Sequence, residues 1–550
     1  MTIAKNFYQD DPVLAELLRE YLPNAFFHYA HEALTDFGER VATDIDERAV
    51  HTDRAGQPQL IKYDKMGNDV SWIWVNEGYQ KTVDETYRTG IVGYVHKPIP
   101  ELGHTGNYTY SFAQGYLLSQ AEPGFYCPVT LTQATAYLLD HYADAELRDR
   151  FLPHVIATDD TTLYEGATFL TERQGGSDVG ANVVEAVREG DHYKITGEKY
   201  FASNAGMCGV AMVLARIEGA ASGTKGLSLF CVPWEDNREA GRLSIRRLKD
   251  KLGVRAVPSA EVEFDGATAY LVGDASEGFK YMMEALNLSR VCNTMASLGI
   301  MRRAYREARD YAFSREAFGG LLVDYPMVQE TLVNLAVKWE VEMRASFEMI
   351  QLFDRVMPKG AEPSEHDQAM LRLYIALLKK ETADQSIAFA HEAIEMHGGN
   401  GFIEDFVTPR LLRDAQVLTV WEGTANILGL EVLRLMNKYR VHEQFLSDMA
   451  ARLDALDDDA RLLADPVWHS LDWLKHKLST IESGDENLML KYPKHIARDM
   501  TLIYEAVVAL ESVTDARSRA VAEIFVHNAF QSDDVTDLHT HHFELIVGKK

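Results

Sequence analysis

The chain has 550 residues, with 55 Lys and Arg against 83 Asp and Glu, and its formal net charge is −28 at pH 7. Because binding to nucleic-acid phosphates or to an anionic membrane surface depends on Lys and Arg, this acidity argues against both as general partners. The length predicts about three domains, and a composition with 46 % hydrophobic and 25 % charged residues is typical of a globular protein with a large core.

Cysteine usage and apolar patterning predict the compartment. The N-terminus has no basic segment followed by an apolar stretch, and no apolar run approaches the roughly 18 residues of a membrane span. Scattered cysteines without a CxxC pair are typical of reduced thiols. We therefore expect a cytoplasmic protein without a membrane span. The cysteines are Cys127, Cys208, Cys231 and Cys292.

The N-terminal part has helical periodicity up to about Leu152. Pro12 directly after Asp11 predicts a helix start, and a further helix pair is expected to end near Pro153. We predict an all-helical N-terminal domain over residues 1–158. Its predicted connections are the Gly- and Pro-bearing stretches at residues 93–106 and 122–128.

The sequence over residues 159–276 changes to short segments rich in β-branched and aromatic residues, separated by turn residues. Five such runs predict a central antiparallel β domain. They are HYKITGEKYFASN, VAMVLARI, LSLFCVPW, SIRRLKDKL and AEVEFDGATAYLV.

Helical periodicity returns after the β domain. Long amphipathic stretches predict a C-terminal four-helix-type bundle over residues 277–437, and an additional helical domain over residues 438–550 follows it. The stretch DMTLIYEAVVALESVTDARSRAVAEIFVHNAF near the end is expected to be helical. Together these patterns predict an α+β multidomain fold.

Three islands of glycines and small polar residues interrupt the regular elements. Adjacent glycines let the backbone approach a ligand and present N–H groups to an anion such as a diphosphate. The chain has no GxGxxG between a strand and a helix and no GxxxxGK[ST], so neither a Rossmann nor a P-loop site is supported. Each island alone is more often a turn than a ligand loop. The islands are TERQGGSDV at 171–179 with SN at 203–204, SREAFGG at 314–320, and MHGGNGFIED at 396–405 followed by VWEGTANI at 420–427.

In order and spacing these islands resemble the motifs of the flavin-dependent acyl-CoA dehydrogenase family. TERQGGSDV resembles the TE-P-x-x-GSD signature, and KYFASNAG is similar to the flavin-contacting strand KxWITN. SREAFGGLLVDYPMVQ resembles RxxFGxxLxxxQ, and the stretch from HGGNGF to VWEGTANI resembles GGxGF…RDA…IYEGTxxI. The longer N-terminal part, the helical tail and segments such as CPVTLTQATAYLL and RLKDKLGVR are most like the AidB (alkylation-response) branch.

The resemblance implies a cofactor and a catalytic base. Oxidation of an acyl thioester between Cα and Cβ needs a base for the α-proton and an acceptor for the β-hydride, and no side chain accepts a hydride. The family supplies FAD as that acceptor, and its catalytic carboxylate matches Glu422 in WEGT. Desolvation by a bound acyl chain makes a carboxylate a stronger base, and a positioned general base is worth about 10²–10⁴ in rate.

The remaining contacts are also implied by the resemblance. Arg290 matches an arginine near the substrate mouth. Arg315 and Phe318 match residues that reach the FAD of a neighbouring subunit, with the backbone at Gly398 and Gly399 near its diphosphate, which implies a homo-oligomer, a dimer or a tetramer. The other positions implied to contact FAD or to follow the catalytic Glu are Thr171, Gly176, Ser177, Phe201, Ser203, Thr424 and Asn426.

The chain departs from the family pattern at three positions. Pro326 and Glu395 replace glutamines that ordinarily help to hold FAD, and Arg173 replaces the proline of the TE-P motif. These changes bear on the affinity for FAD more than on the identity of the cofactor.

Two histidine clusters and one basic run are further candidate sites. The histidines of the HExxH-like segment are six residues apart, off the single helical face that zinc needs. The second histidine cluster could bind a metal adventitiously, and we predict no functional metal site. The basic run is most simply a solvated strand face or loop, the alternatives being contact with a CoA phosphate or with another subunit. The residues concerned are His391, Glu392 and His397; His539, His541 and His542 beside Asp537; and Arg242, Arg246, Arg247, Lys249, Lys251 and Arg255 around Asp250.

Three functions stay open at this point. The first is an FAD-dependent acyl-CoA dehydrogenase of fatty acid metabolism, which passes electrons to an electron-transfer flavoprotein or another acceptor. The second is an AidB-like flavoprotein with low turnover that is associated with DNA protection, and the third is oxidase or monooxygenase chemistry on the same scaffold. The second needs a basic tail, whereas acidic residues are frequent there: Asp457, Asp458, Asp459, Asp465, Asp472, Asp485, Glu486, Asp533, Asp534 and Asp537.

Overall fold

The structure, a computed structural model, describes residues 6–531 and 535–549. The chain divides into two compact units, one ending at Cys292 and the other beginning at Asn293. Each unit has its own core and is described by itself. In the described part of the chain, no helix is long and apolar enough to cross a membrane.

The N-terminal part of the first unit is mainly helical. The predicted helix start is confirmed, because helix α1 begins at Pro12 and the Asp11 carboxylate accepts a hydrogen bond from the Leu14 amide at 3.1 Å. The last two helices are the predicted pair near Pro153 and end at Val155. The helices are α1 (Pro12–Tyr21), α2 (Asn24–Arg40), α3 (Asp46–Arg54), α4 (Glu77–Arg88), α5 (Tyr108–Ser119), α6 (Pro123–Tyr142) and α7 (Ala145–Val155).

The prediction of an all-helical N-terminal domain is wrong in detail. A hairpin of β1 (Gln59–Tyr63) and β2 (Asp69–Trp74) lies between α3 and α4, and the Lys62 ammonium ties it to the backbone of Ile245 at 2.8 Å. The stretch 122–128 is not a connection either, because α6 begins at Pro123, whose fixed φ suits a first helical turn. Two further short strands are β3 (Pro98–Ile99) and β4 (His104–Thr105).

The central sheet contains all five predicted strands and two more. Its order is β10-β11-β7-β6-β8-β5, and β9 pairs with β11 and β8. Both unpredicted strands, β5 and β6, pair parallel to β8, so the sheet is mixed and not antiparallel throughout as predicted. β5 is buried on both faces and therefore lacks the alternation that marks a strand in sequence. The strands are β5 (Glu165–Phe169), β6 (Glu185–Glu189), β7 (His192–Ser203), β8 (Cys208–Ile217), β9 (Leu227–Pro233), β10 (Leu243–Leu248) and β11 (Ser259–Leu271), with α8 (Trp234–Glu239) after β9.

The long helices predicted for the bundle are present. A short hairpin that the sequence pattern did not predict separates the first two of them. The elements are α9 (Gly278–Ser314), β12 (Glu316–Ala317), β13 (Gly320–Leu321), α10 (Pro326–Val356), α11 (Glu365–His397), α12 (Thr408–Leu418) and α13 (Ala425–Tyr439).

The helical tail packs on the bundle within the second unit. The Tyr504 ring stacks on Tyr374 with 4.4 Å between centroids, and Glu505 accepts a hydrogen bond from Lys338 at 2.7 Å. The helical stretch predicted near the end is two helices, because Asp515 caps a new start after Glu511. The tail helices are α14 (Val441–Asp454), α15 (Asp458–Arg461), α16 (Asp465–Glu482), α17 (Glu486–Lys491), α18 (Pro493–Glu511), α19 (Ala516–Phe530) and α20 (Leu538–Ile546).

Candidate cofactor and catalytic site

The glycine-bearing loop after β5 is held from behind by a buried ion pair. The Glu172 carboxylate lies 2.8 Å from the Lys199 ammonium of β7 and accepts hydrogen bonds from the amides of Val183 and Val184 at 2.7 and 3.2 Å. Burial lowers the pKa of Lys199 to about 8, against the opposing effect of the Glu172 charge. The rear of the loop is thereby fixed to the sheet.

The front of the same loop is open. Gly176 and Ser177 are exposed, and a Cβ on Gly176 would lie 2.5 Å from the Thr171 hydroxyl oxygen. Gly175 has φ +129°, a conformation that favours glycine. Thr171 joins this turn to β7, since its carbonyl accepts a hydrogen bond from the Tyr200 amide at 3.0 Å. The turn therefore presents backbone N–H groups and hydroxyls to a ligand.

Two predicted flavin-flanking residues lie on one face at the end of β7. Phe201 and Ser203 are two residues apart in a strand, which places their side chains on the same side. Phe201 is 54 % exposed, and the Lys249 ammonium lies 4.8 Å from its ring centroid. The Ser203 hydroxyl lies 3.1 Å from that of Ser259 in β11. An exposed aromatic ring beside a hydroxyl suits a planar polar ring system.

A buried carboxyl behind this strand end was not predicted. Glu165 of β5 accepts a hydrogen bond from the Tyr87 hydroxyl at 3.1 Å, and burial raises its pKa to about 7, against hydrogen bonds from Tyr87 and Asn204. Asn204 has φ +65° and donates its side-chain amide to the Gly166 carbonyl at 3.2 Å. These contacts fix the chain after Ser203. In the sequence, only the Asn that follows β7 indicates a fixed turn here, since Asn tolerates positive φ.

Three cations of the basic run in the β domain pair with carboxylates of the central sheet. Arg246 pairs with Glu198, and Arg247 and Lys249 lie 2.9 and 2.6 Å from Glu261. Arg242 donates to the Thr268 hydroxyl, and Lys251 and Arg255 donate to backbone carbonyls. This arrangement favours a strand face compensated by its own carboxylates.

The predicted base lies in the turn between α12 and α13. Glu422 has φ +60° and Gly423 has φ +106°, so two adjacent residues occupy the left-handed region. The carbonyl of Gly423 accepts a hydrogen bond from the buried Lys379 of α11 at 2.8 Å. Thr424 is the N-cap residue of α13 and Asn426 lies exposed in its first turn. Glu422 thus lies in a short turn between two helices.

The segment that carries Arg315 and Phe318 is a tight hairpin. β12 and β13 are joined by Phe318 and Gly319, which have φ +52° and +91°. Positive φ at both residues is the geometry of a type I′ turn, where glycine or asparagine is usual. The Phe318 side chain is 98 % exposed, and Arg315 is exposed at the end of α9. An aromatic residue thus occupies a strained and solvated turn.

The glycine pair after α11 is also open. A Cβ on Gly398 or Gly399 would meet no atom within 4 Å, and the departure Glu395 is exposed in the last turn of the helix. His397 packs on Tyr311 with 4.2 Å between ring centroids, and burial lowers the pKa of this histidine. Among residues 6–531 and 535–549 no group of three or more His, Cys, Asp or Glu could hold a metal ion.

The predicted site residues therefore fall into clusters within each unit. In the first unit, one cluster joins the turn after β5 to the end of β7, and Arg290 lies buried on α9, donating to Asn287 at 3.0 Å. In the second, they lie in one turn, one hairpin and one helix end. The open glycine turn, the hydroxyls and the exposed aromatic ring fit a dinucleotide with a planar ring, which is the shape of FAD.

Comparison with known proteins agrees with this fold. The acyl-CoA dehydrogenase C-terminal domain matches residues 276–436, the acyl-CoA dehydrogenase middle domain matches 167–267, and the N-terminal domain of adaptive response protein AidB matches 2–160. The fold and the matched domains thus define the class, an FAD-dependent oxidoreductase.

Individual relatives point the same way. Acyl-CoA dehydrogenase family member 11 of Caenorhabditis elegans is 30 % identical over 535 residues, 93 % of this chain and 85 % of that protein. Putative acyl-CoA dehydrogenase AidB of Escherichia coli is 28 % identical over 434 residues, 77 % of each chain. The crystal structure of Caenorhabditis elegans ACDH-11 in complex with C11-CoA has a TM-score of 0.87 against this chain, with 28 % identity over 98 % of this chain and 93 % of that one. The chain belongs to the acyl-CoA dehydrogenase family, and the predicted family, AidB-like branch and fold class are confirmed.

Proposed function

We propose that the protein oxidises an acyl-CoA thioester between Cα and Cβ, with Glu422 as the base that removes the α-proton. The observation that carries this proposal is the conformation of Glu422. A glutamate with φ +60° beside a glycine with φ +106° is strained, and such strain concentrates at functional sites. The turn lies in the WEGT segment, whose order and spacing match the catalytic motif of the family.

Each site residue would have a separate role in the reaction. Bound FAD would supply the acceptor for the hydride that leaves the β-carbon. Glu422 takes the α-proton on its carboxylate, and its fixed turn keeps the carboxylate in one direction. Gly423 carries no side chain that would crowd a substrate beside it. The exposed face of Phe201 and Ser203 would orient the planar ring of the cofactor, and Arg290 would contact the substrate.

We propose that the residues named from the sequence bind FAD. The turn of Thr171, Gly176 and Ser177 offers hydroxyl and N–H donors, as a flavin edge and a diphosphate require. We also propose a homo-oligomer, a dimer or a tetramer, because Phe318 is almost wholly exposed in a strained turn. A large apolar side chain held in water at this cost is typical of an interface.

The substrate class and partners complete the proposal. Because the related ACDH-11 was crystallised with C11-CoA, an acyl-CoA with a chain of that length is the first substrate to test. An electron-transfer flavoprotein or another acceptor would reoxidise the flavin. A cytoplasmic location and the four predicted domains stay predictions. The domains are residues 1–158, 159–276, 277–437 and 438–550.

The experiment is anaerobic titration of the purified yellow protein with C11-CoA. Bleaching of the flavin absorbance in a one-to-one ratio supports the proposal, and free CoA is the control. Oxygen uptake measured beside reduction of an artificial acceptor separates a dehydrogenase from an oxidase or monooxygenase. A flavin that stays oxidised with acyl-CoA substrates of short, medium and long chain contradicts the proposal.

A further inference from the structure

Lys379 is a buried lysine in the middle of α11. The residue is only 1 % exposed, and its ammonium donates a hydrogen bond to the Gly423 carbonyl at 2.8 Å. Burial of an ammonium is costly unless polar partners compensate it. A buried lysine is therefore expected where its ammonium has a polar partner, and the Gly423 carbonyl is such a partner.

The carbonyl that Lys379 contacts belongs to the strained turn. Glu422 and Gly423 both have positive φ, which is a strained conformation for a residue other than glycine. The entry to the turn is fixed where the Trp421 amide donates to the Val417 carbonyl at 2.9 Å. The exit is fixed by the ammonium of Lys379. Glu422 thus lies between two anchored points.

We infer that Lys379 is a positioning residue that orients Glu422 through the Gly423 carbonyl. This inference rests on the proposed function of Glu422 as base. The hydrogen bond fixes the peptide plane after Gly423, and with it the dihedral angles that direct the Glu422 side chain. A misplacement of about 1 Å at a reacting group can cost about 10²-fold in rate, so a loosened turn slows proton removal.

The test compares Lys379→Met with Lys380→Met in full-length protein loaded with FAD. Lys380 is the next residue, partly exposed and paired with Asp384 on its own helix at 3.1 Å. We expect Lys379→Met to reduce the rate of flavin bleaching by C11-CoA about 10–100-fold, with FAD content and acyl-CoA affinity unchanged, and Lys380→Met to bleach at the parent rate. Lys379→Arg, which keeps a charged donor, should restore most of the rate.

Two further measurements separate positioning from general support of the fold. Amide hydrogen exchange in the protein without acyl-CoA should quicken at residues 421–424 in Lys379→Met and stay at the parent rate elsewhere. In a Glu422→Gln background, Lys379→Met should cause no further loss of rate, because the group it positions is gone. Additive losses in that double variant contradict the inference.

Failure of the inference is distinct from failure of the proposed function. If Glu422→Gln bleaches like the parent, Glu422 is not the base and the proposed function fails. If Glu422→Gln is slow but Lys379→Met bleaches like the parent, only the inference fails. If Lys379→Met and Lys379→Gln both fail to fold with FAD bound, Lys379 supports the fold and the inference is contradicted.

Discussion

Glu165 shows how burial sets the charge of a single residue. Burial raises its pKa from 4.5 to about 7, against the hydrogen bonds that it accepts. In the unfolded chain this carboxyl loses its proton near pH 4.5, whereas in the folded chain it keeps the proton up to about pH 7. Its contribution to stability is therefore full below pH 4.5 and is lost as the pH rises through 7.

The substitution Glu165→Gln should remove this pH dependence. Because the amide does not ionise, the variant should not lose stability as the parent does when the pH rises from 4.5 to 7. We expect its free energy of unfolding to increase relative to that of the parent over this range by up to about 3 kcal/mol. Calorimetry across that range measures it. The control is Glu185→Gln, an exposed position on β6. A constant difference between Glu165→Gln and the parent contradicts the assignment.

The buried ion pair of Glu172 and Lys199 should contribute strongly to the stability of the first unit. Both side chains are buried, so removing one partner leaves an uncompensated charge, and Glu172→Gln should destabilise the first unit by about 3–5 kcal/mol. The matched control breaks the exposed pair of Arg173 with Glu198. Arg173→Gln should cost less than about 1 kcal/mol. Urea unfolding of the two variants measures the difference in their free energies of unfolding. Equal losses of stability would show that burial does not determine the contribution of these ion pairs.

Among the elements, those with a strong period could be predicted from sequence and those without one could not. The run HYKITGEKYFASN alternates β-branched and aromatic residues, and it is strand β7. β5 and β6 were missed because EGATF and EAVRE are short and contain residues that do not favour strands. The hairpin β1–β2 was missed inside a helical context, although the turn DKMGND marks it.

Candidate site residues could be named from the sequence only where a family motif carries them. Glu422 and the turn of Thr171 and Ser177 are named from the resemblance to the acyl-CoA dehydrogenase motifs. Lys379 carries no such signal, because LLKKET in a helix reads as an ordinary pair of surface lysines. The positive φ of Phe318 was likewise hidden, since nothing local distinguishes FG in a strained turn from FG in a loop. Tertiary packing decides both.

A buried charge cluster joins α18 of the tail to the bundle. The Lys338 ammonium lies 3.0 Å from Glu342, 3.2 Å from Glu381 and 2.7 Å from Glu505. Three carboxylates around one cation leave excess negative charge, and burial raises the pKa of Glu342 well above its usual range and that of Glu505 to about 7. The cluster therefore holds protons on its carboxyls near neutral pH.

Substitutions at the two ends of this contact should differ. Lys338→Met leaves the carboxylates buried without a cation and should cost about 3–5 kcal/mol. Glu505→Gln at pH 6 replaces a largely protonated carboxyl and should cost less than about 1 kcal/mol. Melting temperatures at pH 6, with limited proteolysis of the tail, measure the difference. A larger loss for Glu505→Gln would contradict the assigned protonation.

At the scale of the whole molecule, charge decides between partners. In the tail, Arg452 contacts Glu348 at 2.8 Å, Arg517 contacts Glu340 at 2.7 Å and Lys477 contacts Asp499. Cations that are already paired release few counterions from DNA. Of the acidic tail residues named from the sequence, Asp533 and Asp534 lie outside the described residues, as does the Glu486 side chain.

We therefore predict that the full-length protein does not shift duplex DNA in a gel at moderate ionic strength. The net charge of −28 opposes association over the whole surface, and the tail offers no large excess of cations. The matched control is a single-stranded oligonucleotide of the same length. A shift of the duplex that weakens with added salt would favour the AidB-like alternative of DNA protection.

The central claim is that Glu422 removes the α-proton of an acyl-CoA. Its most direct test is the rate of anaerobic flavin bleaching by C11-CoA in a single turnover, compared between the parent and Glu422→Gln. Because the amide keeps the shape but cannot accept the proton, we predict bleaching slower by at least about 10²-fold, with FAD and acyl-CoA still bound. Bleaching of Glu422→Gln at the parent rate would contradict the account.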